Sequence, residues 1–147
     1  MIKTFRAKVA EDQQVKIPLS GGDTNTGYRI VELTGMPADT AGATNTSNEA
    51  LVCVWKNRQS NFDSEVDFND DNLLAAFYFL RDQGVVAITS ESVIFDDELI
   101  NQDIFVTYVD AQTNNVGFNW FLKIEEVKMK DPEIAVVNYK AALLHGE

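Results

Sequence analysis

DDNLLAAFYFLRDQG, residues 70–84, decides how this chain is built. From Leu73 to Leu80 nearly every side chain is apolar. Asp70 or Asp71 is a good helix N-cap, and Gly84 is a good stop. The stretch therefore predicts a short inner helix, apolar all round and buried on most sides. In a small domain such a helix plugs the end of a barrel or sandwich, or sits in a subunit contact. A strand over AAFYFL is the alternative.

Immediately upstream, NFDSEVDFNDDNLL (Asn61–Leu74) holds the densest acid in the chain. Asp63, Glu65, Asp67, Asn69 and Asp71 fall at every second position, which resembles the ligand spacing of a calcium loop. Counted from Asp63, however, the sixth position is Phe68 instead of glycine, and the twelfth is Leu74, which has no oxygen. The reading adopted is a strand edge over SEVDF, with Glu65 and Asp67 in solvent and Val66 and Phe68 toward the core. Asp70 and Asp71 then cap the helix. No metal or cofactor is expected; a loose calcium site at Asp63, Glu65 and Asp67 is the alternative.

The rest of the first half reads as short strands between turns. TFRAKVA (Thr4–Ala10) alternates, with Phe5, Ala7 and Val9 on one face and Arg6 and Lys8 on the other. QVKIPL places Val15, Ile17 and Leu19 together, and Pro18 assigns it to a sheet edge or strand end. YRIVEL (Tyr28–Leu33) is rich in strand formers. Thr34–Ala50 is small, polar and aperiodic, which predicts a long exposed loop. LVCVWKN (Leu51–Asn57) is a buried strand in which Cys53 reads as a small core residue.

The second half is more regular. VVAIT and Ser92–Phe95 read as strands. In Gln102–Val109, Ile104, Val106 and Tyr108 share a face opposite Phe105, Thr107 and Val109. GFNWFLKIEEVKM (Gly117–Met129) sets Phe118, Trp120, Leu122 and Ile124 against Phe121 and Lys123. Their spacing predicts an antiparallel hairpin. DPEIAVVNYKAALL is a terminal helix with Asp131 as cap, Pro132 at its first position and Ile134, Val137, Ala141 and Leu144 on one face. The whole is one mainly β domain: an antiparallel sandwich or jelly roll with one short inner helix and a C-terminal helix.

Composition bounds the function. The 147 residues are 45% hydrophobic and 24% charged, as suits one globular domain. A net charge of -11, from 23 acids against 12 bases, repels phosphate backbones, so no direct nucleic-acid binding is expected. No apolar run is long enough to span a bilayer, so no membrane contact is expected either. The N-terminus lacks the apolar run of a secretory signal, which predicts a product cytoplasmic at synthesis and also fits one that assembles inside a cell and later leaves by lysis. A single cysteine excludes an internal disulfide. His145, the only histidine, lies in the C-terminal tail, where a triad base is not held. The pairs available for carboxylate chemistry come from Asp63, Asp67, Asp96 and Asp97, and Asp96 and Asp97 suit a turn. No enzyme is expected. Trp120, Phe118, Phe121 and Tyr108 sit at strand spacing, which favours core packing over a sugar-binding platform.

SVIFDDELINQDIFVTYVD (Ser92–Asp110) followed by GFNWFLKIEEVKM resembles a family of small virion structural proteins of tailed bacteriophages, especially marine ones. GYRIVELTGMP (Gly27–Pro37) and VDFNDDNLLAA (Val66–Ala76) fit the same pattern. The resemblance implies a capsid decoration or cement protein that is located in the virion and binds the major capsid protein or other virion proteins. It carries over no active-site residue. A symmetric shell site favours a closed homo-oligomer, with a trimer preferred. The candidate contacts are Leu73, Phe77 and Leu80 on the apolar stretch, and Phe105, Val109 and Phe121 on the second face of the hairpin. Lys3, Arg6 and Lys8 could meet an acidic neighbour, or form a solvated strand face. A carbohydrate- or receptor-binding module of a fibre or spike is the alternative function.

Overall fold

The computed structural model describes residues 1–9, 12–20, 25–38, 47–61, 65–81, 88–95, 98–111 and 117–144. These form β1 (Ile2–Val9), β2 (Gln13–Ile17), β3 (Thr26–Pro37), β4 (Asn48–Trp55), β5 (Leu73–Arg81), β6 (Ile88–Ile94), β7 (Ile104–Asp110), β8 (Phe118–Lys128) and α1 (Asp131–Leu144). One sheet has three strands in the order β1-β8-β3, and the other has five in the order β2-β7-β4-β5-β6. Every pairing is antiparallel. The chain is mainly β, with two sheets and a C-terminal helix, as its patterning predicts.

The expected inner helix is instead β5, an interior strand between β4 and β6. Its run is apolar on both sides because both faces of its sheet are covered, and a short apolar run between turn signals suits such a strand. Ala75, Phe77 and Phe79 face the other sheet, while Leu73 and Ala76 face outward. The register with β4 passes over Leu74 between Val54 and Trp55. This bulge lets both Leu74 and Ala75 point into the core. The predicted helix cap works as a turn. Asp70 accepts the Asn72 amide on its carboxylate at 2.9 Å and the Leu73 amide on its carbonyl at 3.1 Å. Asp favours such local bonds at turns as readily as at helix ends.

Two further expectations are revised. β7 and β8 do not form a hairpin: β7 pairs with β2 and β4, while β8 pairs with β1 and β3 in the other sheet. The expected loop at Thr34–Ala50 is strand at both ends, through Pro37 in β3 and from Asn48 in β4. Residues 39–46 lie outside the described residues. A bulge at Val31 breaks the period of β3, so inward positions pass from Tyr28 and Ile30 to Leu33.

The inner faces of the two sheets share one core. Phe118 stands at its middle, stacked on Tyr108 at 5.5 Å between ring centres, with Phe79 at 5.7 Å and Phe77 at 6.3 Å. Gly35 makes room for this ring. A Cβ there would lie 2.6 Å from the Phe118 ring and 2.5 Å from the Asn119 carbonyl oxygen. α1 rests on the segment before β7 through Val137, with Ile134, Ala141 and Leu144 half-buried on the same side.

Candidate functional site

The two sheets differ on their outer faces. Behind the five-stranded sheet, Leu51, Cys53, Trp55, Leu73, Ala76 and Phe105 form a second buried cluster. The chain covers it with its own segment between β4 and β5. Val66 packs on the cluster, and the Arg58 guanidinium lies 5.1 Å from the centre of the Phe105 ring. Trp55 donates its indole N–H to Thr107 Oγ1 at 2.9 Å. Burial pushes the Cys53 thiol up to about 12, so it stays protonated and inert, in keeping with a core residue.

The covering segment is coil and turn, not the expected strand. Val66 faces inward as predicted, but Phe68 does not: it is 56% exposed and meets Phe95 edge-on at 5.5 Å. Asp67 accepts the Asn69 amide at 2.9 Å, and Asp70 donates its own amide to the Asp67 carbonyl at 3.1 Å. These local bonds hold the turn that points Phe68 outward.

The outer face of the three-stranded sheet has no such cover from the described residues. Alternation in β1 sends Phe5, Ala7 and Val9 inward and leaves Arg6 and Lys8 exposed, as the sequence predicts. Lys3 belongs to the other face and lies 5.2 Å from the centre of the Tyr28 ring. The ladder sets Arg6, Phe121 and Thr34 in one row and Lys8, Asn119 and Met36 in the next. Together they line a shallow hollow of about 600 Å³. Phe121 and Met36 give it apolar surface, Met36 being 58% exposed. Lower on this face, Arg29 donates to Glu125 at 2.7 and 2.9 Å, and Lys123 lies 3.1 Å from Glu32. Among the described residues, neither Arg6 nor Lys8 has a carboxylate within ion-pair distance.

Polar groups gather at both ends of the sheets. At one end Arg81 donates to Asn48 Oδ1 at 2.6 Å, and Asn48 Nδ2 has no hydrogen-bond partner among the described residues. Nearby in the ladder, the Tyr108 hydroxyl donates to Asp110 at 3.3 Å. Burial raises its pKa, and the Asp110 and Asp12 carboxylates raise it further. At the other end Glu98 receives Lys56 at 2.5 Å and Lys140 of α1 at 3.5 Å, which ties the helix to the sheets. Asp103 accepts the Leu19 and Ser20 amides, both at 2.9 Å, and the Ser20 hydroxyl at 2.7 Å. Burial pulls its pKa up, but these bonds and Lys16 outweigh it and hold the carboxyl below its usual range.

The predicted contact residues are therefore dispersed. Phe77 lies in the main core, Leu73 and Phe105 in the second cluster, and Val109 is buried. Leu80 and Phe121 are half-buried, and Phe121 is the one that lines the hollow. Phe105, a candidate contact, is covered by the chain's own segment after β4. Phe118, Trp120 and Tyr108 are buried, so they form no exposed aromatic platform. Among the described residues no group of three acids, histidines or cysteines is placed to hold a metal. Asp63, Asp96, Asp97 and His145 lie outside them. Sequence reasoning missed Met36 and the outward turn of Phe68. Asn48 and Arg81 were legible by parity, since they continue the inward series of Ala50, Val52 and Val54 and of Ala75, Phe77 and Phe79. Comparison with protein-family models, curated proteins and solved structures gives no match.

Proposed function

We propose that the protein is a virion structural protein of jelly-roll type: a decoration or cement protein that binds a phage shell through protein–protein contacts. The observation that carries this reading is the hollow on the three-stranded sheet, which no described residue covers, with an apolar floor at Phe121 and with Arg6 and Lys8 lacking a carboxylate partner among the described residues. Such a surface recognises another protein, not a small reactive substrate. Strand order supports the fold. β1 pairs with β8, β2 with β7 and β4 with β5, as when one long hairpin is rolled up. β6 pairs with β5 but touches β3 through the Ser92 hydroxyl, which donates to the Leu33 carbonyl at 2.9 Å. Jelly rolls serve viral shells and lectins alike, so the fold by itself selects neither. The family resemblance of Ser92–Asp110 and Gly117–Met129 favours the shell, and the burial of Trp120 counts against a sugar-binding platform.

The partners on this reading are the major capsid protein or other virion proteins, with a closed homo-oligomer, a trimer first, at a symmetric site. The test is protein analysis of purified particles. The expected result is this chain at a fixed ratio to the shell protein. A stable monomer missing from purified particles would overturn the reading.

A further inference from the structure

We infer that the hollow on the three-stranded sheet receives the Glu65–Asp71 turn of a second copy of this chain, head to tail. This deepens the reading of a shell protein that works by protein contact, and rests on it. Three observations point to that occupant. The first is charge: Arg6 and Lys8 have no carboxylate partner among the described residues of a chain of net charge -11, and they share one rim of the hollow. The second is the turn EVDFNDD, where Phe68 projects into solvent, 56% exposed, with Asp67 before it and Asp70 and Asp71 after it. An apolar side chain held outward between carboxylates matches a floor of Phe121 and Met36 beside two cations. The third is rigidity. The bonds of Asp67 to Asn69 and of Asp70 to Asn72 and Leu73 fix the turn before any contact, so little ordering is required on docking.

The two surfaces belong to opposite sheets. The turn covers the outer face of the five-stranded sheet, and the hollow is the outer face of the three-stranded one. One copy can thus offer its turn to a neighbour while its own hollow receives another. A contact between two different surfaces closes into a ring when the rotation suits, and otherwise grows into a filament. A trimeric ring is one closed form.

The test uses two singly blocked variants of the full chain. Arg6→Glu with Lys8→Glu removes the cation rim. Phe68→Ser with Glu91→Gln removes the projecting ring and an acid beside it, which lines the neighbouring groove with Phe68, and leaves a neutral turn that the Glu-substituted hollow does not attract. All four positions are exposed, so circular dichroism and melting should match the parent protein. In sedimentation at low ionic strength the parent should form oligomers that weaken with added salt. Each variant alone should be at least about tenfold weaker in self-association, as expected for loss of complementary rim charges. Mixed, the variants should form a one-to-one dimer and nothing larger, because each keeps the surface that the other lacks. A parent that is monomeric at low salt and high concentration would overturn the inference, as would a mixture that stays monomeric while each variant folds. A dimer through the same face on both copies would also overturn it, since the mixture would then gain nothing. Failure here leaves presence in particles unaffected. Absence from particles, with the one-to-one dimer intact, would sink the shell reading alone.

Discussion

The outer faces of the two sheets show how one pattern of alternation yields two surfaces. Behind the five-stranded sheet the outward positions are apolar, from Leu51 and Trp55 to Phe105, and the chain folds the segment after β4 across them. Outside the three-stranded sheet they are Arg6, Lys8, Lys123 and Glu125, with Phe121 among them. The first face needs cover to be stable in water, and the chain supplies it. The second is polar enough to stay open, yet keeps an apolar floor. A buried residue on the first face therefore reports on folding, whereas one on the second can report on binding.

β8 puts that contrast to its hardest test, because Phe118 and Phe121 leave the same strand on opposite sides. Phe118→Ala should cost about 3–5 kcal/mol, the range for removing a fully buried aromatic ring. Phe105→Ala, on the covered outer face, should cost nearly as much, about 3 kcal/mol, and also strip Arg58 of the ring it lies over. Phe121→Ala should stay under about 1 kcal/mol, as surface changes do. Urea unfolding of the three variants measures all of this. If Phe121→Ala proved as damaging as Phe105→Ala, the hollow would be a structural groove, and the contrast between the faces would fail.

Much of this arrangement was legible in the chain. Strict alternation in Thr4–Val9 and Phe118–Ile124 placed every inward side chain correctly, because one face of that sheet is wet. Where both faces are covered the signal fails. Leu73–Leu80 carries no polar side to fix a period, and a capping Asp is equally at home in a turn, so the stretch reads as a helix. The hairpin expected from β7 to β8 was wrong for a different reason. Sequence spacing records the length of the connection, not whether the chain returns to the same sheet. Val31 was hidden too, because a bulge inserts one residue without marking it in composition. Of the six proposed contact residues, four are buried and Phe121 lines the hollow, since an apolar strand residue facing a second core looks the same in sequence as one facing outward.

Smaller effects should appear where polar groups fasten the covered sheet. Asp103→Ala removes the acceptor that holds the chain after β2, and should cost about 1–2 kcal/mol. The native carboxyl titrates below its usual range, so its contribution is complete above about pH 4 and is lost as pH falls through the lowered value. The gap between the parent and Asp103→Ala should thus close in acid. A gap that stayed constant down to full protonation would mean that the charge of Asp103 contributes nothing. Cys53 offers a test of the same cover. With its thiol raised to about 12 and buried, it should resist thiol reagents at neutral pH until the protein unfolds. Rapid labelling of the folded chain would show that the segment after β4 lifts off.

The smallest change in stability is expected on the open face. Arg29 is tied to Glu125 by two bonds, and a double-mutant cycle should assign that exposed pair about 0.2–1 kcal/mol. Arg6 has no such partner among the described residues, so Arg6→Ala should leave the melting curve within about 0.5 kcal/mol of the parent. Thermal unfolding of Arg6→Ala at low and high salt separates the outcomes. A clear loss at low salt alone would mean that Arg6 serves the fold through long-range attraction to the acids of its own chain. Unchanged melting at both salts, together with loss of association, would assign Arg6 to contact instead. The covered face and the open face would then differ not only in what they expose but in the work their side chains do.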